Sequence, residues 1–283
     1  MPVYGRFLID GAPRHAEIVG DVAYLIDDLF GARRRTGGYS PLARLRVMAP
    51  VAPPKLFAIG LNYVDHAAES GKPVPDVPLM WFKATSAIIA HGETIEIAYP
   101  DHRTDYEGEL VIVIGRACKA VNEADALDYV LGYTIGQDIS DRDVQRGESQ
   151  WARAKSFDTY APLGPFIHTD LDASNLSIET RLNGEIRQQS ETAKMVFSVA
   201  RLIAFLSESI TLQPGDCIMT GTPHGIGPLR DGDTLETRIG AMQPLVVSVA
   251  NSQTAVFDKH PGTDDGNIDG NASSREKPSN SIL

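Results

Sequence analysis

Short apolar runs, some alternating with polar residues and some standing as solid blocks, are separated by glycine and proline along most of this chain. That pattern predicts strands far more often than helices. Residues 3–9, 16–19 and 23–26 form three such runs, punctuated by Gly11-Ala12-Pro13 and Gly20-Asp21, and predict a small β-meander. Asp27-Asp28-Leu29-Phe30 and Gly37-Gly38 lead away from it. Residues 50–54 (Pro-Val-Ala-Pro-Pro) predict an extended linker, because a residue before proline disfavours the α region. Further strands are predicted at 55–61, 79–82, 86–89, 94–97, 110–114, 131–135, 217–219, 234–239 and 245–249. Asn183-Gly184 between runs 177–182 and 185–189 is the strongest hairpin signal. Helical spacing is confined to a turn at 66–69 and to 123–130, 141–145 and 195–206, the last reading as core. Pro162-Leu163-Gly164-Pro165 reads as a turn.

These elements divide the chain into a small N-terminal β-rich subdomain (1–50), a main domain (51–252) and a tail (253–283). The fold class is β-rich α+β. Past Phe257, the last aromatic residue, the tail is dominated by Asp, Gly, Asn, Ser and Pro, and is predicted to be disordered because it cannot bury enough apolar surface to offset its ordering entropy. No internal repeat is visible.

Composition narrows the function classes. The chain has 283 residues, 42% of them hydrophobic, so a substantial core is available. The net charge is −11 with no basic cluster, which argues against nucleic acid or an anionic membrane surface as partner. Two cysteines, Cys118 and Cys217, lie far apart without metal-ligand spacing and suit a reducing compartment. Neither an apolar leader nor a bilayer-length apolar stretch occurs, so a soluble cytoplasmic protein is expected.

The candidate chemistry centres on residues 105–115, Asp-Tyr-Glu-Gly-Glu-Leu-Val-Ile-Val-Ile-Gly. If the extended conformation begins at Asp105, Glu107 and Glu109 project to one face at the mouth of a buried strand. Two carboxylates so placed repel each other and lose hydration, and a divalent cation offsets both costs. The same pair could equally lie on a solvated strand end. His66 and Glu69, three apart on a helical turn, are within reach of each other. The Gly- and Pro-containing segment 70–75 after them could serve as a lid, or the pair could be an exposed turn with no role. The glycine-dense segment 220–228 lets backbone N–H groups approach a ligand, but it lacks the lysine and spacing of a phosphate loop. A carboxylate-binding turn fits at least as well.

Taken in order, these segments resemble the fumarylacetoacetate hydrolase family over nearly all of 50–249. The resemblance rests on Gly60-Leu61-Asn62-Tyr63 with His66 and Glu69, Phe82-Lys83, Asp105 to Leu110, Gly132-Tyr133-Thr134 and Asp138-Ile139-Ser140. Arg142-Asp143-Val144-Gln145, Trp151 with Lys155, Pro214-Gly215-Asp216 and Thr220-Gly221-Thr222-Pro223 complete it. It implies a mixed β-sandwich roll catalytic domain, a homodimer, and one Mg²⁺ or Mn²⁺ per subunit held by Glu107, Glu109 and Asp138. Hard carboxylate oxygens suit those ions, and three ligands leave octahedral positions for a 2-oxo acid. The implied reaction is hydrolytic C–C cleavage of a 2,4-dioxo acid such as an acylpyruvate. Glu69 would orient His66 as general base, Lys155 would stabilise the oxyanion, and the metal would act as Lewis acid toward the departing enolate. Arg142, Gln145, Thr222 and Lys83 would bind substrate. Gln137 stands where many members carry Asn, retaining an amide. The family also contains oxaloacetate-type decarboxylases and diene-dioate isomerases using the same ligands, and a metal-dependent binding protein without turnover is the reading from another class.

Overall fold

The structure is a computed structural model that describes residues 2–253. The predicted tail, apart from Gln253, lies outside the described residues. The meander comprises β1 (Val3–Ile9), β2 (Ala12–Val19), β3 (Val22–Ile26) and β4 (Arg35–Pro41), paired antiparallel in sequence order, with β5 (Arg46–Met48) laid against β1. Gly37 and Gly38, expected to leave the meander, lie inside β4.

The rest of the chain supplies β6 (Leu56–Gly60), α1 (Val64–Glu69), β7 (Leu79–Lys83), β8 (Ile88–Ile89), β9 (Thr94–Ile97), β10 (Thr104–Tyr106), β11 (Gly108–Ile114) and β12 (Val130–Gln137). Then follow β13 (Ser140–Asp141), α2 (Arg142–Gly147), β14 (Ala161–His168), β15 (Ser177–Leu182), β16 (Glu185–Glu191) and α3 (Val199–Ser209). The last strands are β17 (Cys217–Met219), β18 (Gly227–Pro228), β19 (Thr234–Ile239) and β20 (Leu245–Asn251). A 12-stranded sheet runs β4-β3-β2-β1-β14-β12-β11-β17-β6-β7, with β5 on β1 and β8 on β14. A 5-stranded sheet runs β16-β15-β19-β20-β9, and a 3-stranded one β13-β10-β18. Strands β11 and β14 are buried on both faces, as their near-continuous apolar sequences require.

Other local readings change, the strand predicted at 86–89 being 3₁₀ over Thr85–Ala87 and strand only at Ile88–Ile89. The segment 162–165 is not a turn but part of β14, which pairs with β1, β12 and β8. Pro165 falls where the β12–β14 register breaks, between the Tyr133–His168 and Ile135–Gly164 pairs, and Pro162 is registered against Ile89 of β8. Glu123–Tyr129 is 3₁₀ rather than α; only Ala126 is buried, leaving little apolar face to drive a longer helix. Helix α3 starts at Val199, not 195, because Ser198 caps it by accepting the Arg201 N–H at 3.1 Å. Met195 is bridged to Tyr63 instead.

Candidate metal centre and its cavity

Glu107 stands at the joint between β10 and β11, and Glu109 is the second residue of β11. Asp138 follows directly on β12, whose Gln137 is registered opposite Gly108. The antiparallel pairing therefore carries Asp138 to the two glutamates, and the Asp138 N–H donates to the Glu107 carbonyl at 2.9 Å. One carboxylate oxygen from each of the three comes within 4.8 Å of the others, and all three side chains are buried.

The joint itself is held by side chains, since it interrupts the ladder. The Gln137 amide oxygen accepts the Glu107 N–H at 2.9 Å, and the Gln188 amide oxygen accepts the Gly108 N–H at 3.0 Å. Thr222 donates its hydroxyl to the Gly108 carbonyl at 3.0 Å and accepts from the Gln188 amide at 2.8 Å. Gln137 also donates to Thr237 on β19 at 2.5 Å. Two glutamines thus tie the carboxylate joint to the 5-stranded sheet. Gly108 is required here, because a Cβ would stand 2.2 Å from the Thr180 hydroxyl.

Cations surround the centre unevenly. Lys155 Nζ donates to Glu107 at 2.8 Å and to Asp138 at 2.5 Å. Lys83 donates to the other Asp138 oxygen at 2.5 Å and also to the Lys155 carbonyl. Arg142 bonds Asp105 at 2.9 Å and Gln145 at 2.8 Å, and also reaches Glu107. Burial alone would raise the Glu107 carboxyl, but Lys155, Arg142 and His66 outweigh it and hold it well below the usual range. Burial lowers the Lys155 ammonium, yet Asp138 and Glu107 prevail and keep it firmly protonated; at Lys83 burial wins, lowering it. Glu109 differs. Its carboxylate accepts the Gly221 N–H at 2.7 Å and has no ion pair among the described residues. Burial, and then Asp138 and Glu107, push its carboxyl well above the ordinary range. Three converging, buried carboxylate oxygen donors fit Mg²⁺ or Mn²⁺.

The centre opens on a cavity of about 640 Å³ lined by the sequence-predicted His66, Glu69, Glu107, Glu109, Arg142, Gln145, Lys155 and Thr222. Lys83 does not line it; its side chain is sealed behind Asp138, so its contacts are with the carboxylate centre rather than with the cavity. Thr222 lines it with its hydroxyl already engaged, as described. His66 Nδ1 lies 3.4 Å from Glu69, whose carboxylate also accepts the Gly225 N–H at 3.1 and 3.2 Å. This draws α1 to the 220–228 segment. Gly225, at φ +93°, approaches so closely that a Cβ would lie 2.1 Å from the Arg187 carbonyl. Lining residues without a predicted role include Trp81, Trp151, Lys72, Arg103 and Arg146. Nothing local in the sequence marks Gln188 or Lys72; both acquire their position only through long-range packing. Trp151 was legible only as part of the resemblance.

A second group, His102, Asp141 and Asp143, also brings three ligand-type atoms together. Its donors are committed: Asp141 caps α2 and bonds His102 at 2.8 Å, and Asp143 accepts the Arg103 N–H at 2.7 Å.

Comparison with known proteins places this architecture. The fumarylacetoacetate (FAA) hydrolase C-terminal family matches residues 55–250. An uncharacterized protein of Archaeoglobus fulgidus is 44% identical over 249 residues, covering 87% of this chain and 96% of its own length. The structure of 5-carboxymethyl-2-hydroxymuconate delta-isomerase from Mycobacterium smegmatis superposes with TM-score 0.83 at 41% identity, covering 89% of this chain and 100% of that one. Maleylpyruvate hydrolase from Sphingobium sp. SYK-6, solved with manganese(II) and pyruvate, gives TM-score 0.74 at 29% identity over the same shares.

Proposed function

The chain belongs to the fumarylacetoacetate hydrolase family, and on the geometry of its carboxylate centre we propose that it is a Mg²⁺- or Mn²⁺-dependent hydrolase of 2,4-dioxo acids. It would release pyruvate, or a related 2-oxo acid, and a carboxylic acid. The carrying observation is that Glu107 and Glu109, whose carboxylates converge with that of Asp138, line the same cavity as His66, Glu69 and Lys155. Chelation alone needs none of the latter three. When bound, the cation supplies Lewis-acid polarisation of the 2-oxo-acid end.

The chain's own residues carry the rest. His66, oriented by Glu69, takes a proton from water, and the hydroxide so formed attacks the 4-oxo carbon. Lys155, held protonated by Asp138 and Glu107, would stabilise the developing oxyanion. The C3–C4 bond then breaks, the acid departs, and the enolate left behind is protonated to the 2-oxo acid. Arg142 and Gln145 face the cavity and hold the substrate carboxylate. The manganese–pyruvate complex of maleylpyruvate hydrolase supports placing a 2-oxo acid at such a centre. The named isomerase at higher identity favours a second reading, double-bond migration in a diene-dioate over the same ligands.

Product analysis separates them. Acylpyruvate with Mn²⁺ should yield pyruvate and acid in equal amounts, and excess chelator should abolish turnover. His66→Ala should bind metal normally yet lose about 10² to 10⁴ in rate. Carbon dioxide, or an isomer with no cleavage, would overturn the hydrolase reading.

A further inference from the structure

The meander turns one of its faces toward a second cavity. Strands β1 and β5 pair with Arg6 opposite Met48 and Leu8 opposite Arg46. Side chains alternate along a strand, so these four share one face while Phe7, Ile9 and Val47 share the other. The latter three pack in a core cluster with Phe166. The former four instead line a cavity of about 430 Å³. Its opposite wall includes Val51 and Pro53 of the proline-rich linker, with Thr85 and Ile88. Val51 lies in the other core cluster, against which Ile88 packs, so that wall is anchored. None of the residues lining this cavity lines that of the carboxylate centre.

The cavity sets apolar walls beside an unbalanced cation. Arg46 and Glu93 form an ion pair at 3.2 Å, and the Glu93 carboxylate also accepts the Ala90 N–H at 2.8 Å. Arg6 has no carboxylate partner among the described residues; burial lowers its guanidinium and no neighbouring acid offsets that. Acids are not scarce in a chain of net charge −11. A guanidinium partly stripped of water and left without an anion keeps its planar fork of donors free for a carboxylate.

We propose that this cavity binds an aliphatic monocarboxylate, with the carboxylate on Arg6 and the hydrocarbon chain against Leu8, Met48, Val51 and Ile88. The lining charges, two arginines against one glutamate, leave a single positive surplus that a monoanion balances. Thr85 offers a hydroxyl as a further donor. An inorganic anion would satisfy Arg6 but leave the apolar wall wet, and a dicarboxylate would bring a second charge against Val51 and Ile88. The volume falls within the range of small-molecule sites.

Binding should not need the metal, which separates this site from the carboxylate centre. The test labels the methionine methyls of the full chain with ¹³C and titrates it, in excess chelator, with hexanoate, acetate, hexanol and inorganic phosphate. Hexanoate should saturably shift the Met48 methyl resonance, identified by its loss in Met48→Leu. Acetate should bind at least about tenfold more weakly, since each buried methylene adds about fourfold. Hexanol should also bind at least about tenfold more weakly, for want of a charge-assisted hydrogen bond. Arg6→Gln should abolish the preference for hexanoate over hexanol and leave Mn²⁺ affinity unchanged. If that variant no longer melts cooperatively, Arg6→Lys, which keeps the charge but not the fork, should weaken hexanoate and not hexanol. The proposal is overturned if the Met48 resonance does not move, or if it moves only when Mn²⁺ is bound. Phosphate or acetate binding as tightly as hexanoate overturns it as well, leaving a bare anion contact. So does a hexanoate affinity that substitution of Arg6 does not change.

Discussion

Glu109 is the residue on which the metal argument can be tested without a substrate. Its carboxyl is raised by burial and by Asp138 and Glu107, so in metal-free protein it resists ionisation. A carboxylate whose folded value exceeds its unfolded value adds stability below the unfolded value, 4.5 for a free glutamate here. That stability is lost as pH rises toward the folded value. In chelator, thermal unfolding midpoints should therefore fall as pH climbs above the ordinary carboxylate range, and Glu109→Gln should flatten that slope. Saturating Mn²⁺ should reverse it in the parent protein but not in Glu109→Gln, which loses a ligand. Equal slopes for the two proteins in chelator would show that Glu109 does not carry the excess charge. The paired glutamates were legible in the sequence because strand alternation is local. Asp138 was not legible in that way, since only the β11–β12 register brings it across; it came through the family resemblance.

At the scale of elements, the hairpin of β15 and β16 does more than close the 5-stranded sheet. Through Gln188 it satisfies the Gly108 N–H and steadies Thr222. Gln188→Leu would leave a buried N–H unpaired, at a cost of about 1–3 kcal/mol. It would also release the joint that aims Glu107 and Glu109, and loss of such support weakens metal affinity by about 10- to 100-fold. Urea unfolding and Mn²⁺ titration should show both effects together; a stability loss with unchanged affinity would make the hairpin a support of the fold alone. The Asn183-Gly184 turn of this hairpin was readable because Asn and Gly accept the positive φ it needs, 54° and 84°. Its glutamine was not, because nothing within the hairpin indicates that it faces a joint eighty residues away. The reading of 162–165 as a turn failed for a related reason. Proline and glycine are ordinary turn signals, and the irregular pairing with β12 that makes room for Pro165 in a buried strand is a long-range feature.

At the scale of the whole described chain, the meander and the strands of the carboxylate centre share one sheet and one of its core clusters. The boundary drawn at residue 50 follows a real composition change, for 50–54 is extended and proline-rich. Yet β1 pairs with β14 across it, and Tyr4, Ile26, Leu29 and Ala49 pack in the cluster that also contains Val111, Val113, Leu163 and Met219. Those last residues lie in the strands that carry the carboxylate centre or pair with them. Removing residues 2–49 would therefore strip one side of that core and bare part of the β14 edge. Each large buried side chain lost costs about 2–5 kcal/mol, against a total stability of about 5–15 kcal/mol for a typical domain. A chain beginning at Pro50 should thus fail to melt cooperatively and should not bind Mn²⁺, as judged by calorimetry and metal titration. A sharp transition near that of the intact chain, with Mn²⁺ affinity retained, would show instead that the meander is an appendage. The shared core predicts the former because the strands that position Glu109 and Asp138 are packed partly by residues of the meander.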